Sequence, residues 1–442
     1  MPAPRPPHAS RARRRVLAFA FLLAVVTYLD RICISAAAPF MMRELGLGVI
    51  QMSVVFSAFT LAYSIFEVPS GWLGDRRGPR RVLTRIVLWW SAFTMLTGAA
   101  RGYASLVSIR FLFGAGEAGA FPNMARAFSR WFPARERGQA GGILFFGSRA
   151  GGMLSAPLAL LLIATWGWRA SFAIFGAAGL LWAAAWHAWY RDSPADHPAV
   201  SAEELAWIEQ DRASPGAPAA WRGGAPGRTP WRLLLGSRNL WALCAMYFGF
   251  GYGLYFYFTW LPTYLIRELG FSALGGGFFA ALPFLLAGIA DLAGGWCTDL
   301  LARTHGLRVA RCWLGAASFA ACAALMFGST LAAAPVAKAL LLAFALGAAD
   351  FALSACWAVP LDIGADHAGV ITGFMNTFGN LGGLAGPLVV GIAVERWQSW
   401  TFPFHLTSAV YLLSALAWLA IDPEARLESR QPVIEAMTAG AD

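Results

Sequence analysis

The sequence predicts an all-α integral membrane protein, with twelve transmembrane helices arranged as two pseudo-symmetric six-helix bundles. Three observations carry that expectation. Hydrophobic residues make up 58% of the 442 and charged residues only 13%, with a mean hydropathy of +0.55, against roughly 25% charge in a soluble domain. Apolar runs of about 20 residues, the length that crosses a bilayer at ~1.5 Å per residue, follow one another along the chain. Short words also recur. Gly71-Trp72-Leu73-Gly74-Asp75 returns 224 residues later as Gly295-Trp296-Cys297-Thr298-Asp299, and Glu67 and Asp291 keep that offset. Gly138, Gly142, Gly151 and Gly152 return at an offset of 231 as Gly369, Gly373, Gly382 and Gly383. Two parallel copies of one membrane unit are a design of secondary transporters.

The elements follow in order. A tail, residues 1–15, carries Arg5, Arg11, Arg13, Arg14 and Arg15, and a first bundle occupies 16–189 with spans at 16–38, 50–73, 82–100, 104–127, 138–164 and 168–189. Residues 190–238 read as a connector, in which Ser201 and Glu204 form a capping-box pattern that opens a short surface helix. A second bundle occupies 239–421, with spans at 239–266, 273–298, 309–331, 336–358, 369–394 and 400–421, before a polar tail, 422–442. Basic residues collect in alternate loops: Arg76, Arg77, Arg80 and Arg81, then Arg130, Arg135 and Arg137, then Arg303, Arg308 and Arg311. The opposite loops carry one each, Arg43, Arg101, Arg169, Arg267, Lys338 and Arg396, so the positive-inside rule puts both termini in the cytoplasm. The net charge of +10 is therefore topological and gives no support for a nucleic-acid partner. The first apolar run is of full length without a small-residue cleavage site, as expected of a retained helix.

Charges inside a bilayer cost roughly 2.5–3.5 kcal/mol each on insertion scales, so they mark function or pairing. The first bundle holds Asp30, Arg31, Glu67, Arg110, Glu117 and Arg149, and the second Asp291 and Asp350. Arg110 and Glu117, seven residues apart, share a helix face about 10 Å apart along the axis, and Asp30 lies at a depth similar to that of Arg110. A carboxylate that neutralises an arginine releases it on protonation, which is a minimal device for coupling a proton to an anion; the competing reading is a static helix-joining pair. The forked guanidinium of Arg31 suits a ligand carboxylate. Arg149 could do the same or pair with Asp291 across the two halves. Tyr28, Tyr63, Tyr247, Tyr255, Ser354, Trp357 and Asn376 could line a polar pocket, although tyrosine and tryptophan are also interface anchors. The loop acids Asp75 and Asp299 read as gates or as solvated turns, and their repetition favours gates. Cys33, Cys244, Cys297, Cys312, Cys322 and Cys356 read as small packing residues. No metal spacing and no nucleophile–base pair stands out, so neither an enzyme nor a cofactor is expected beyond the proton as coupling ion.

Gly71-x-x-x-Asp75-Arg76-x-Gly78-x-Arg80-Arg81 resembles the loop 2–3 signature of the major facilitator superfamily, with a degenerate copy from Gly295 to Arg303. Within it, Tyr28-Leu-Asp30-Arg31, Arg110-Phe-x-x-Gly114-x-x-Glu117, Trp131-Phe132-Pro133 and Trp260-x-Pro262-x-Tyr264 resemble the anion:cation symporter family. The resemblance implies a monomeric proton symporter for a small carboxylate, most often a sugar acid: aldonate, hexuronate or aldarate. It implies Asp30 and Glu117 as proton carriers, Arg110 as their charge partner, Arg31 as the carboxylate contact, and Ser354, Trp357 and Asn376 as substrate contacts. The signature residues Gly71, Asp75, Arg76, Gly78, Arg81, Gly295 and Asp299, with Asp291 facing Arg149, read as gating positions. Cys356, Tyr247, Arg149, Asp291 and Asp350 depart from the family's pattern. An efflux antiporter would share the loop signature but explains Arg31 and Arg149 less readily, and a transporter-like sensor would use the same pocket.

Overall fold

Hydrocarbon offers no partner to a backbone N–H or C=O group, so each apolar run must close its hydrogen bonds internally as a helix. The computed structural model, which describes residues 11–209, 231–364 and 368–425, contains no strand among them. The N-terminal tail, the middle of the connector and most of the C-terminal tail lie outside the described residues.

The helices are α1 (Arg11–Leu45), α2 (Val49–Arg77), α3 (Pro79–Gly98), α4 (Tyr103–Glu117), α5 (Ala120–Trp131), α6 (Ala134–Trp189), α7 (Ala202–Glu209), α8 (Trp231–Leu235), α9 (Arg238–Thr259), α10 (Leu261–Thr263), α11 (Ala273–His305), α12 (Leu314–Leu331), α13 (Pro335–Phe351), α14 (Leu353–Gly364), α15 (Ala368–Trp397) and α16 (Thr401–Leu419). Eight described helical stretches are long and apolar enough to cross a membrane. One of them, α6, crosses twice, because Gly167 at φ 77° turns the chain back without a loop. The remaining crossings are α3, the pair α4–α5 and the α9–α10 segment, which completes twelve. α13 and α14 form one crossing.

In the first half α1 and α3 pack along α6, and α2 packs along α4; in the second, α9 packs along α15 and α16, and α12 along α13 and α16. The halves meet along α2 with α15 and along α6 with α11. Two pseudo-equivalent crossings are interrupted at the same place. α4 gives way to α5 at Gly119 (φ −93°, ψ 1°), and α13 to α14 at Ala352 (φ −86°, ψ −4°). Glycines set the closest contacts. A Cβ on Gly251 would collide with the Gly379 carbonyl of α15, and one on Gly114 with the Phe59 carbonyl of α2, as small residues permit in membrane bundles.

On the face away from the termini, Arg169 donates to Glu44 and to the carbonyls of Gly98 and Ala100 at 2.7–3.1 Å, tying three loops together. The Trp168 indole and the Arg169 guanidinium hold the Glu44 carboxyl below its ordinary range. On the terminus-bearing face the connector helix α7 starts as expected, with Ser201 Oγ accepting from Glu204 N at 3.2 Å. The Glu204 side chain does not return to the cap. It turns to Arg13 Nε at 3.0 Å, while Arg13 also pairs with Glu136 and Trp207 Nε1 donates to Glu136 at 2.9 Å. Trp207 and Ile208 are buried, so α7 docks onto the ends of α1 and α6.

Gly251→Val should lower the melting temperature of the purified protein by an amount equivalent to about 1–3 kcal/mol, the usual cost of overpacking. Gly328→Ala, at a position with open space within 4 Å, should leave it unchanged; differential scanning fluorimetry in detergent compares the two.

Candidate functional site

α1 delivers Asp30 and Arg31 to the middle of the first bundle, and α4 brings Arg110 and Glu117 to meet them. Arg31 Nε donates to Glu117 Oε1 at 2.9 Å, and Arg31 Nη2 pairs with the same oxygen. The guanidinium carbon lies 4.9–5.1 Å from the ring centroids of Tyr28, Phe59 and Tyr63. Glu117 is fully buried, and its second oxygen has no hydrogen-bond partner. Arg110 lies instead against Phe113 (4.3 Å) and Phe59 (5.1 Å), with its Nε unpartnered. Asp30, 1% exposed, keeps both oxygens buried without a hydrogen bond, close to Trp90, Thr94, Arg110 and Glu117.

This corrects the expected pairing. Arg110 and Glu117 share a face, yet two helical turns separate them, whereas α1 presents Arg31 directly to Glu117. Arg31 is thus neutralised by a carboxylate of the protein rather than held open for a ligand.

A second cluster straddles the two halves. Arg149 Nη2 of α6 pairs with Asp350 Oδ2 of α13 at 2.6 Å, and not with Asp291, which accepts from Ser354 Oγ at 3.1 Å. Asp350 is fully buried. In the sequence it stands only as an additional charge, and its partner is decided by the register of α6 against α13. Glu117 and Asp350 therefore occupy corresponding places, each beside the interruption of its crossing. The C-terminal end of a helix carries partial negative charge, so an acid there needs a cation, and each has an arginine.

Asn376, expected as a substrate contact, donates to both oxygens of Glu67 at 2.9 and 3.0 Å and so joins α15 to α2. Tyr255 donates to Asn380 at 3.4 Å. Trp357 lies 5.8 Å from Phe145 and 6.3 Å from Tyr247, ring centroid to centroid. A cavity of about 270 Å³ opens between α6, α11 and α14, lined by Arg149, Asp291, Ser354, Trp357, Phe145 and Gly295 among others. A far smaller one, the size of a water, touches Arg31, Arg110, Phe59, Tyr255, Phe258 and Thr259. Of its wall residues, Phe59, Phe258 and Thr259 carry no sequence signal that separates them from ordinary packing.

Among the expected gating positions, Gly78 takes φ 79° at the start of α3, where a Cβ would strike the Asp192 carboxylate. Arg80, rather than Arg81, is the tether: its backbone N–H donates to Asp192 at 2.9 Å and its side chain to the His187 carbonyl at 2.7–3.0 Å. Arg76, Arg81 and Asp299 are exposed. Gly71 and Asp75 lie outside the residues whose side chains are described. In the second half, Arg311 donates to Asp362 (2.9 Å) and Thr298 (2.8 Å).

Residues 20–387 match the family profile of the Major Facilitator Superfamily. The chain is 37% identical to a probable sulfoacetate transporter of Cupriavidus necator, over 95% of this chain and 96% of that one. It is 32% identical to a probable galactarate/D-glucarate transporter of Bacillus subtilis, over 91% and 90% of the two chains, and 28% identical to that organism's hexuronate transporter, over 92% and 94%. Among solved structures it superposes on a bacterial homologue of the human lysosomal transporter Spinster, in an inward-facing and occupied conformation, with a TM-score of 0.78 at 17% identity, covering 95% of this chain and 99% of the other.

Removing one partner of a buried ion pair costs about 3–5 kcal/mol, because the other charge is stranded. Arg149→Gln should therefore lower the melting temperature markedly, and Arg149→Gln/Asp350→Asn should recover most of the loss. Thermal denaturation of the single and double variants measures this.

Proposed function

Because the chain belongs to the Major Facilitator Superfamily, we propose that it is a proton-coupled symporter that imports a small organic anion through a site between its two halves. The observation that carries this reading is the buried Arg31–Glu117 pair beside the unpartnered Asp30. A guanidinium held by a carboxylate has no room for a second anion. When Glu117 takes up a proton it ceases to compete, and Arg31 is free to bind a substrate carboxylate or sulfonate through its fork. Asp30 and Arg110 stand within electrostatic reach of Glu117 and share its charge balance. On the inward-facing side Glu117 loses its proton, reclaims Arg31 and expels the anion. Protonation also lowers the cost of moving an occupied site through the closed intermediate, since the net charge stays near zero.

The relatives' described substrates, sulfoacetate, galactarate or glucarate, and hexuronate, support an anion of two to six carbons, with a sugar acid as one class. Each half moves as a body, and alternation opens the site first to one face and then to the other. The loop arginines support cytoplasmic termini in the inner membrane of a bacterium, and a single chain holds every residue that the cycle uses.

The first test is thermal stabilisation of the purified protein by sugar acids, short carboxylates, sulfoacetate and matched neutral sugars at two pH values. An acid should stabilise where its neutral analogue does not; stabilisation by neutral or cationic compounds alone would overturn the reading. In proteoliposomes Glu117→Gln should abolish uphill accumulation driven by a proton gradient and retain counterflow exchange. Undiminished accumulation in that variant would remove Glu117 from the coupling role.

A further inference from the structure

We infer that the substrate is a dianion, held at one end by Arg31 and at the other by Arg149. The inference rests on the anion-transport reading above and names its substrate class.

The site contains two buried guanidiniums, each neutralised by a single carboxylate, Arg31 by Glu117 and Arg149 by Asp350. Their acids stand at equivalent interruptions of the fourth and tenth crossings, so the arrangement is one device built twice. Both arginines line cavities, Arg31 the small one and Arg149 the larger cleft between α6, α11 and α14. Counted from the starts of their crossings, they lie roughly 22 Å and 17 Å deep, within about one helical turn of each other.

Tyr28 links them. Its ring is 5.0 Å from the Arg31 guanidinium, its Cβ packs on Gly151, two residues along α6 from Arg149, and its hydroxyl is within electrostatic reach of both arginines. A monoanion could replace only one of the two carboxylates and would leave the other arginine where it is. A dianion replaces both, and with one proton on Glu117 and one on Asp350 the occupied site carries the same net charge as the empty one. The charged groups around these acids are Arg31, Asp30 and Arg110 for Glu117, and Arg149 and Asp291 for Asp350.

The experiment compares sulfoacetate and succinate with acetate, methanesulfonate and propionate, by thermal shift and by proton-driven uptake into proteoliposomes. In the native protein the dianions should bind about 10- to 100-fold more tightly than the monoanions, the worth of one charged hydrogen-bonding contact. Arg149→Gln/Asp350→Asn, which neutralises the second pair together, should abolish that preference while keeping monoanion binding at Arg31; Arg149→Lys should retain part of it. Equal binding of monoanions and dianions by the native protein, or an unchanged preference in the double variant, would overturn the dianion inference and leave anion transport standing. Stabilisation by none of the anions would overturn the anion reading itself.

Discussion

A guanidinium cannot discard its charge, and a membrane interior cannot solvate it, so the buried Arg31 and Arg149 are each answered by a carboxylate of the protein. That constraint organises the molecule. It explains why Glu117 and Asp350 are buried where they are, why each sits at the interruption of a crossing, and why the charges form a few clusters near the middle of the bundle. Around them the aromatic rings of Tyr28, Phe59, Tyr63 and Phe113 give the guanidiniums a polarisable surface without offering a competing anion. In the proposed cycle the carboxylates are the replaceable part. A transporter differs from a static bundle in that its internal counter-ions can be exchanged for cargo, and carboxylates can surrender their charge to a proton where arginines cannot.

The scaffold supplies rigidity to make such an exchange selective. Gly114, Gly251 and Gly382 let neighbouring backbones approach until carbonyls fill the space that a Cβ would occupy. Arg13, Glu136, Glu204 and Trp207 fasten the connector helix to the first half, and Arg311, Asp362 and Thr298 brace the second. The chain is a transporter of its superfamily and not an enzyme, and its chemistry is correspondingly one of pairing and release.

Much of this was legible in the sequence. Length and hydropathy gave the crossings, the Gly71 and Gly295 words gave the twofold construction, and the rarity of charges inside apolar runs singled out Asp30, Arg31, Arg110, Glu117, Arg149 and Asp350. Partners were harder to read. Spacing along one helix suggested Arg110 for Glu117, and opposition of loop-proximal residues suggested Asp291 for Arg149. Which residues meet across two helices depends on their relative rotation and depth, and a shift of one residue rotates a side chain by about 100°. Asn376 and Ser354 illustrate the same limit, because a polar residue facing the bundle axis may be taken by a neighbouring acid before any ligand arrives. The Ser201 cap was legible because it is local, whereas the turn of Glu204 toward Arg13 spans 191 residues of sequence.

The face away from the termini is closed between the halves by few polar ties among the described residues: Ile50 N to Glu395 at 2.7 Å, Ser57 Oγ to the Leu384 carbonyl at 3.0 Å and Arg267 to the Pro39 carbonyl at 2.8 Å. Each is worth about 0.5–1.5 kcal/mol net, somewhat more for the charged donor. Such ties are weak enough, one by one, that the binding energy of a ligand can offset them. The direction of net flux is then written in the gradients on either side of the membrane, and the protein itself keeps little memory of which way it last faced.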